Sequence, residues 1–188
     1  MIVPTLLKCP LRLLIPTRSL FHFMTLAFNQ VDEERKKRLG ADRTCAEWIL
    51  KNGGAVKWLG EEQYITDYNL LPPENNRKYL VAIDGTNSSI THHGFAHFSG
   101  CNNIREVILR NCTHIEDEAL EALKIIQHSL MHLVIEDCPN ITLRGLAHIW
   151  QHKKLKRLVL KDFVYISGKD LQSFIEETSV SLPLCQIN

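Results

Sequence analysis

The sequence predicts an α/β fold: a short solenoid of about four strand–turn–helix repeats, closed by an N-terminal cap. Three observations predict it. The pattern Ile104-x-x-Val107-x-Leu109-x-x-Cys112-x-x-Ile115 returns 26 residues on as Leu130-x-x-Leu133-x-Ile135-x-x-Cys138-x-x-Ile141, and 25 residues after that as Leu155-x-x-Leu158-x-Leu160-x-x-Phe163-x-x-Ile166. Each copy is followed by apolar residues at helical spacing. The segment before the copies lacks this period and carries its own start and stop signals.

The first element, residues 1–28, is apolar and basic. Lys8, Arg12 and Arg18 are its only charges, and Asp32 is the first acidic residue of the chain. No uninterrupted apolar stretch approaches the roughly 20 residues a spanning helix needs, and Pro4, Pro10 and Pro16 interrupt helix. Thr17 to Phe28 permits a short amphipathic helix. A mitochondrial leader fits this composition. A secretory signal, its apolar core broken by charge, and an apolar helix of the fold are the alternatives.

Residues 29–77 form the N-terminal cap domain. Asp32 to Leu39 is a charged helix stopped by Gly40. A second helix starts near Asp42 or Thr44, with Thr44 and Glu47 spaced as a capping box. It buries Cys45, Trp48 and Ile49 and ends at Gly53-Gly54. Ala55 to Leu59 is a strand, and Tyr64, Tyr68, Leu70 and Leu71 lead to Pro72-Pro73.

Residues 78–188 carry the repeats. The L-x-L alternation puts two side chains on one face of a short strand, and the Cys or Phe and the following Ile turn inward at its end. A decayed first copy runs Val81-x-Ile83-x-x-Thr86, with Ile90 displaced by one residue. Helical returns follow in each unit. Thr91 caps one that buries Phe95 and Phe98. The later returns present Leu120 and Leu123, then Leu146, Ile149 and Trp150, then Leu171, Phe174 and Ile175. One unit cannot bury its apolar face alone, so neighbours stack into a curved parallel sheet backed by helices. With "CTHIEDEAL" and "CPNITLRGL" after the strands, the register resembles the cysteine-containing class of leucine-rich repeats. Phe163 stands where that class has cysteine, which assigns Cys112 and Cys138 a packing role.

In the cap, "FNQVDEERKKRLGADRTCAEWILKNGGAVKW", followed by "DYNLLP" and "AIDGTNSSI", resembles the mitochondrial coupling factor B family. That family is also called ATP synthase subunit s-like, and it includes distal membrane-arm assembly components of respiratory complex I. The resemblance covers roughly residues 26–175. It implies a protein peripheral to the matrix side of the mitochondrial inner membrane, whose partners are ATP synthase or complex I assembly intermediates. It also implies a weak magnesium site at Gly53 and Thr86, with no cofactor required. The family's coupling members carry a C-x-C pair at the end of the second repeat strand. Here Arg110 and Cys112 occupy those places, a departure from the pair a dithiol mechanism uses.

Composition narrows the function. An apolar share of 45% with 23% charged residues belongs to a globular chain. Setting the three leader cations aside from the 22 Lys and Arg leaves 19 basic against 21 acidic residues, so no basic stripe remains for nucleic acid. Six cysteines without C-x-x-C signal neither a zinc knuckle nor a redox pair, and read as buried thiols. His93 and His97, and likewise His148 and His152, are four apart but lack H-E-x-x-H, and read as solvated helix histidines. Glu116, Asp117 and Glu118 favour a helix start. There is no P-loop, G-x-G-x-x-G or G-x-S-x-G, and no nucleophile with an obvious base.

The repeat register also nominates a surface. The middle residue of L-x-L faces the concave side, giving an apolar stripe of Ala82, Ile108, Val134 and Val159 that either the cap, the leader or a partner covers. Beside it runs Asp84, Arg110, Glu136 and Lys161, alternating in sign; Glu106, His132 and Arg157 flank the other side. The candidate partner contacts are Ile108, Val134, Val159, Arg110, Glu136 and Arg157. The expected function is a non-enzymatic factor acting by surface complementarity. The rivals are a leucine-rich-repeat substrate adaptor of a ubiquitin ligase, which needs an F-box bundle the cap does not resemble, and a small metal-dependent enzyme.

Overall fold

The computed structural model describes residues 27–188, so the leader expected over 1–28 lies outside the described residues but for its last two positions. The fold is mixed α/β. Six strands form one sheet in chain order: β1 (Ala55–Trp58), β2 (Leu80–Asp84), β3 (Glu106–Arg110), β4 (His132–Glu136), β5 (Arg157–Lys161) and β6 (Gln186–Ile187). β1 runs antiparallel to β2, and every later pairing is parallel. The helices are α1 (Glu33–Leu39), α2 (Ala41–Lys51), α3 (Asp117–Ala122), α4 (Leu143–Leu146) and α5 (Gly168–Ser181). Short 3₁₀ segments, His92–Phe98, Leu123–Ile126 and Ala147–Gln151, complete the returns between strands.

The three strong sequence copies stand side by side. Leu109 pairs with Ile135 and Ile135 with Leu160, all in parallel register. Val107, Leu133 and Leu158 line up in the same way and are fully buried. Against their inner face pack Leu120, Leu123, Leu146 and Ile149, as the helical spacing predicts, with Phe174 from α5 at the far end.

The decayed first copy is placed two residues out of its expected register. Ala82 pairs with Glu106 and Asp84 with Ile108, where the sequence pattern sets Ala82 beside Ile108. The backbone just past the strands explains the shift. Asn87, Asn111, Asp137 and Asp162 all adopt left-handed conformations, φ between 49° and 58°, which Asn and Asp tolerate best among residues with a side chain. The N–H groups of Asn87, Asn111 and Asp137 donate to the carbonyls of Arg110, Glu136 and Lys161, one unit further on. This row is the true phase marker. It puts Ser88, not Thr86, at the place of Cys112, and the Ser88 hydroxyl donates to the Gly85 carbonyl at 2.7 Å. Cys112 Sγ donates to that same carbonyl at 3.0 Å, and Cys138 Sγ to the Leu109 carbonyl at 3.5 Å. Cys45, Cys101, Cys112 and Cys138 are all free and buried.

At the N-terminal end the Asp32 side chain caps α1 by accepting the Arg35 N–H at 2.8 Å, and Gly40 ends it with φ +91°. The capping box read at Thr44 and Glu47 does not form, because α2 already starts at Ala41 behind Gly40. Thr44 lies inside the helix, where its hydroxyl donates back to the Gly40 and Ala41 carbonyls at 3.2 and 3.1 Å. Glu47 turns instead to two arginines. Trp48 is the centre of this end. Its indole stacks on His97, 5.0 Å between centroids, and meets the edges of Phe95 and Phe98. Asn29 Oδ1 accepts the Trp48 Nε1–H and the Thr91 N–H, each at 3.0 Å. Gly94 lies so close to Trp48 and Asn29 that a Cβ there would collide with both.

The far end is closed by α5, with Ser167 capping it through the Asp170 N–H. Trp150 stacks on Phe174 and donates its Nε1–H to Thr178 Oγ1 at 2.9 Å.

Candidate functional site

On the sheet face away from the helices, Ile108, Arg110, Val134, Glu136, Arg157 and Val159 line one groove of about 550 Å³. All six are the residues singled out as partner contacts, and the parallel register brings them together: Ile108, Val134 and Val159 form one row, and Arg110 and Glu136 the next. Two features differ from expectation. Asp84, not Ala82, heads the apolar row, because of the two-residue shift. The row is also a floor more than an open stripe, with Val134 and Val159 only 7% exposed.

The charged walls differ in how they are satisfied. Arg110 Nε donates to Glu136 Oε2 at 2.9 Å, one rung of the anticipated ladder. Asp84 takes no part in it. Its Oδ1 accepts both the backbone N–H and the hydroxyl of Thr86, and Thr86 is the residue beside Arg110, since the Asn87 N–H bonds the Arg110 carbonyl. On the opposite wall Glu106, His132, Arg157 and Gln186 are register neighbours. Glu106 is the most engaged. Its Oε2 accepts the Tyr64 hydroxyl at 3.0 Å, with Lys57 Nζ 3.8 Å away, and His132 Nδ1 lies 4.0 Å from Oε1. Burial, reinforced by the Glu106 carboxylate, holds the Tyr64 phenol well above its usual range. Two residues from before the repeats, Tyr64 and Lys57, thus hold Glu106 at the first end of the groove. Among the described residues Arg157 and Lys161 have no ion-pair partner, so the free positive charge sits at the other end.

Gly53 and Thr86 come from neighbouring strand ends. Gly53, with φ +86°, stands two residues before Ala55, and Thr86 stands two residues after its partner Asp84. Carbonyl and hydroxyl oxygens with one nearby carboxylate, Asp84, make a donor set of the kind a largely hydrated magnesium ion accepts.

The histidines read as solvated divide. His97 and His152 are buried, at 5% and 0% exposure. Both lie at the close of 3₁₀ segments, whose three-residue turn does not put positions four apart on one face, so His93 is exposed while His97 stacks on Trp48. Burial pushes both imidazoles down to about 4. His97 Nε2 lies 3.2 Å from the Gln30 carbonyl, and both ring nitrogens of His152 lack a hydrogen-bond partner among the described residues.

Sequence reasoning missed two contributors. Tyr64 was legible only as an apolar cap residue, and nothing in its spacing points to Glu106. Asp117 was read as a helix-start acid, yet its carboxylate accepts the N–H and hydroxyl of Thr142 at 2.8 and 2.6 Å, tying one unit to the next.

No protein-family model matches the chain. Several mitochondrial and assembly proteins are similar to it. The mitochondrial ATP synthase subunit s of Rattus norvegicus is 34% identical over 175 residues, 91% of this chain and 86% of that protein. The Homo sapiens protein of the same name is 31% identical over the same shares of both chains. Distal membrane arm assembly component 2 of Drosophila melanogaster is 27% identical over 134 residues, 69% of this chain and 47% of that protein.

Proposed function

The chain belongs to the family of mitochondrial ATP synthase subunit s, or coupling factor B, and on that premise we propose that it is a non-enzymatic mitochondrial factor that binds protein partners. Its clients are ATP synthase, in coupling proton transport to ATP synthesis, or assembly intermediates of complex I. The names of its relatives support both directions. Its place is the matrix side of the inner membrane, held there through partners; among the described residues no helix is long and apolar enough to cross a membrane.

The fold supports this role as a leucine-rich-repeat solenoid of the cysteine-containing type, with residues 29–77 as cap and 78–188 as repeat domain. The supporting features are the stacked 25- and 26-residue units and the buried Cys112 and Cys138. The observation that carries the reading is the groove itself. It presents a narrow apolar floor between a charged wall and a mixed one, with Arg157 and Lys161, unpaired among the described residues, on its far side. Such a face suits a mixed-charge protein segment, with register set by charge and affinity by the desolvated floor. Magnesium, where bound, would be held by Gly53 and Thr86 with Asp84 beside them, and would lock β1 to the turn after β2 without entering any reaction.

Proximity labelling from this chain in intact mitochondria tests the proposal. Tagging of ATP synthase or complex I subunits is expected, and which of the two is tagged names the client. Labelling of neither above an untargeted matrix control overturns it.

A further inference from the structure

We infer that His92, Glu116 and Glu118 form a surface site for a first-row divalent transition metal, zinc foremost, that staples the first repeated unit to the second. His92 opens the 3₁₀ segment after β2. Glu116 and Glu118 stand at the start of α3 in the next unit. One ligand atom from each lies within 4.8 Å of the others.

Three features make this more than a chance meeting of side chains. His92 Nδ1 is shut off from solvent with no hydrogen-bond partner among the described residues, an unfavourable state for an imidazole nitrogen that a metal bond would relieve. The His92 ring is held in place by the His93 ring, 4.0 Å between centroids. The two carboxylates also converge with little compensation. Arg144 Nη2 is 3.8 Å from Glu118, and Glu116 has no ion-pair partner among the described residues. A divalent cation answers the orphaned nitrogen and the carboxylate repulsion together.

The donor set selects the ion. Imidazole nitrogen with two carboxylates suits zinc and its first-row neighbours, whereas magnesium and calcium take oxygen ligands throughout. This site is therefore chemically distinct from the oxygen-only set at Gly53 and Thr86. Bonds of roughly 2.0–2.2 Å require ligand atoms about 3.3 Å apart in a tetrahedral site. The exposed glutamates can swing the remaining distance by rotamer change, at no cost to the core. Three protein ligands leave the fourth position to water, and because its ligands come from two successive units the site is a structural clamp.

Calorimetric titration of zinc into the full chain, with cobalt as a spectroscopic probe, tests it. One ion per chain in the micromolar range is expected, weakened about tenfold or more in both His92→Gln and the Glu116→Gln/Glu118→Gln double variant. The cobalt spectrum should lack a thiolate band. Denaturation midpoints without metal show whether each variant is folded, and the glutamate variant changes only exposed side chains. Undiminished affinity in the folded glutamate variant overturns the inference. So does a thiolate band, which would place the ion on cysteines, or binding no tighter than millimolar.

Discussion

The Arg35 guanidinium and the Glu47 carboxylate face each other in two parallel hydrogen bonds, Nε to Oε2 at 2.7 Å and Nη2 to Oε1 at 2.9 Å, joining α1 to α2. Arg43 Nε adds a third at 2.9 Å. The Glu47 side chain is only 3% exposed, while both arginines keep a solvent edge. Burial alone would raise the Glu47 carboxyl, but the two arginines outweigh it and its pKa is lowered. Glu47→Ala leaves both cations without their anchor. We expect a loss of roughly 2–4 kcal/mol in urea denaturation, somewhat under the figure for fully buried pairs. In the wild type this contribution is present above the unfolded carboxyl value and is lost as pH falls through the depressed folded one.

Asn29→Ala removes the acceptor shared by the Trp48 indole and the Thr91 amide. Two buried donors are left unpaired, at about 1–3 kcal/mol each. The expected result is a lower midpoint together with a changed Trp48 emission in the native state. A midpoint within error of wild type would show that residues 28–30 do not dock on the cap helix.

His97 and His152 set a second pH window. Their folded values, about 4, lie below the ordinary 6.5, so the unfolded chain takes up protons first as pH drops. Stability is intact above 6.5 and declines between 6.5 and 4, by about 2 kcal/mol per histidine at pH 5. Midpoints measured at pH 7.5 and 5.0 check this. His152→Leu, which keeps the site filled and removes two orphaned nitrogens, should flatten the decline by about half.

Charge reversal tests the groove. Arg110→Glu sets a carboxylate against Glu136, and Lys161→Glu reverses a cation with no ion-pair partner among the described residues. Each should cost the fold only about 0.2–1 kcal/mol, the scale of a cross-strand pair. The double variant should nonetheless lose most of its recovery of respiratory subunits in pull-downs. Undiminished recovery would exclude this face as the contact.

Most of the sheet was legible in the residues, because a strand's apolar period and a repeat's length are both local properties. Leu109, Ile135 and Leu160 had to align once each unit buried the same face. The first copy was not legible in the same way. Its phase is set by the Asn87, Asn111, Asp137 and Asp162 row, and a left-handed backbone leaves only a faint trace in sequence. The six groove residues were nominated by register alone, whereas the shallow exposure of Val134 and Val159 depends on what surrounds them.

The chain's own sequence determined the α/β class, the 25–26-residue spacing and the helices between residues 33 and 51, because each rests on contacts between residues near in sequence or on periodic burial. Tertiary structure alone decided which polar groups meet: Glu47 with Arg35, Tyr64 with Glu106, Asp117 with Thr142, and His92 with Glu116 and Glu118. Those pairings join different elements, and a side chain's charge carries no record of the partner that packing will bring to it.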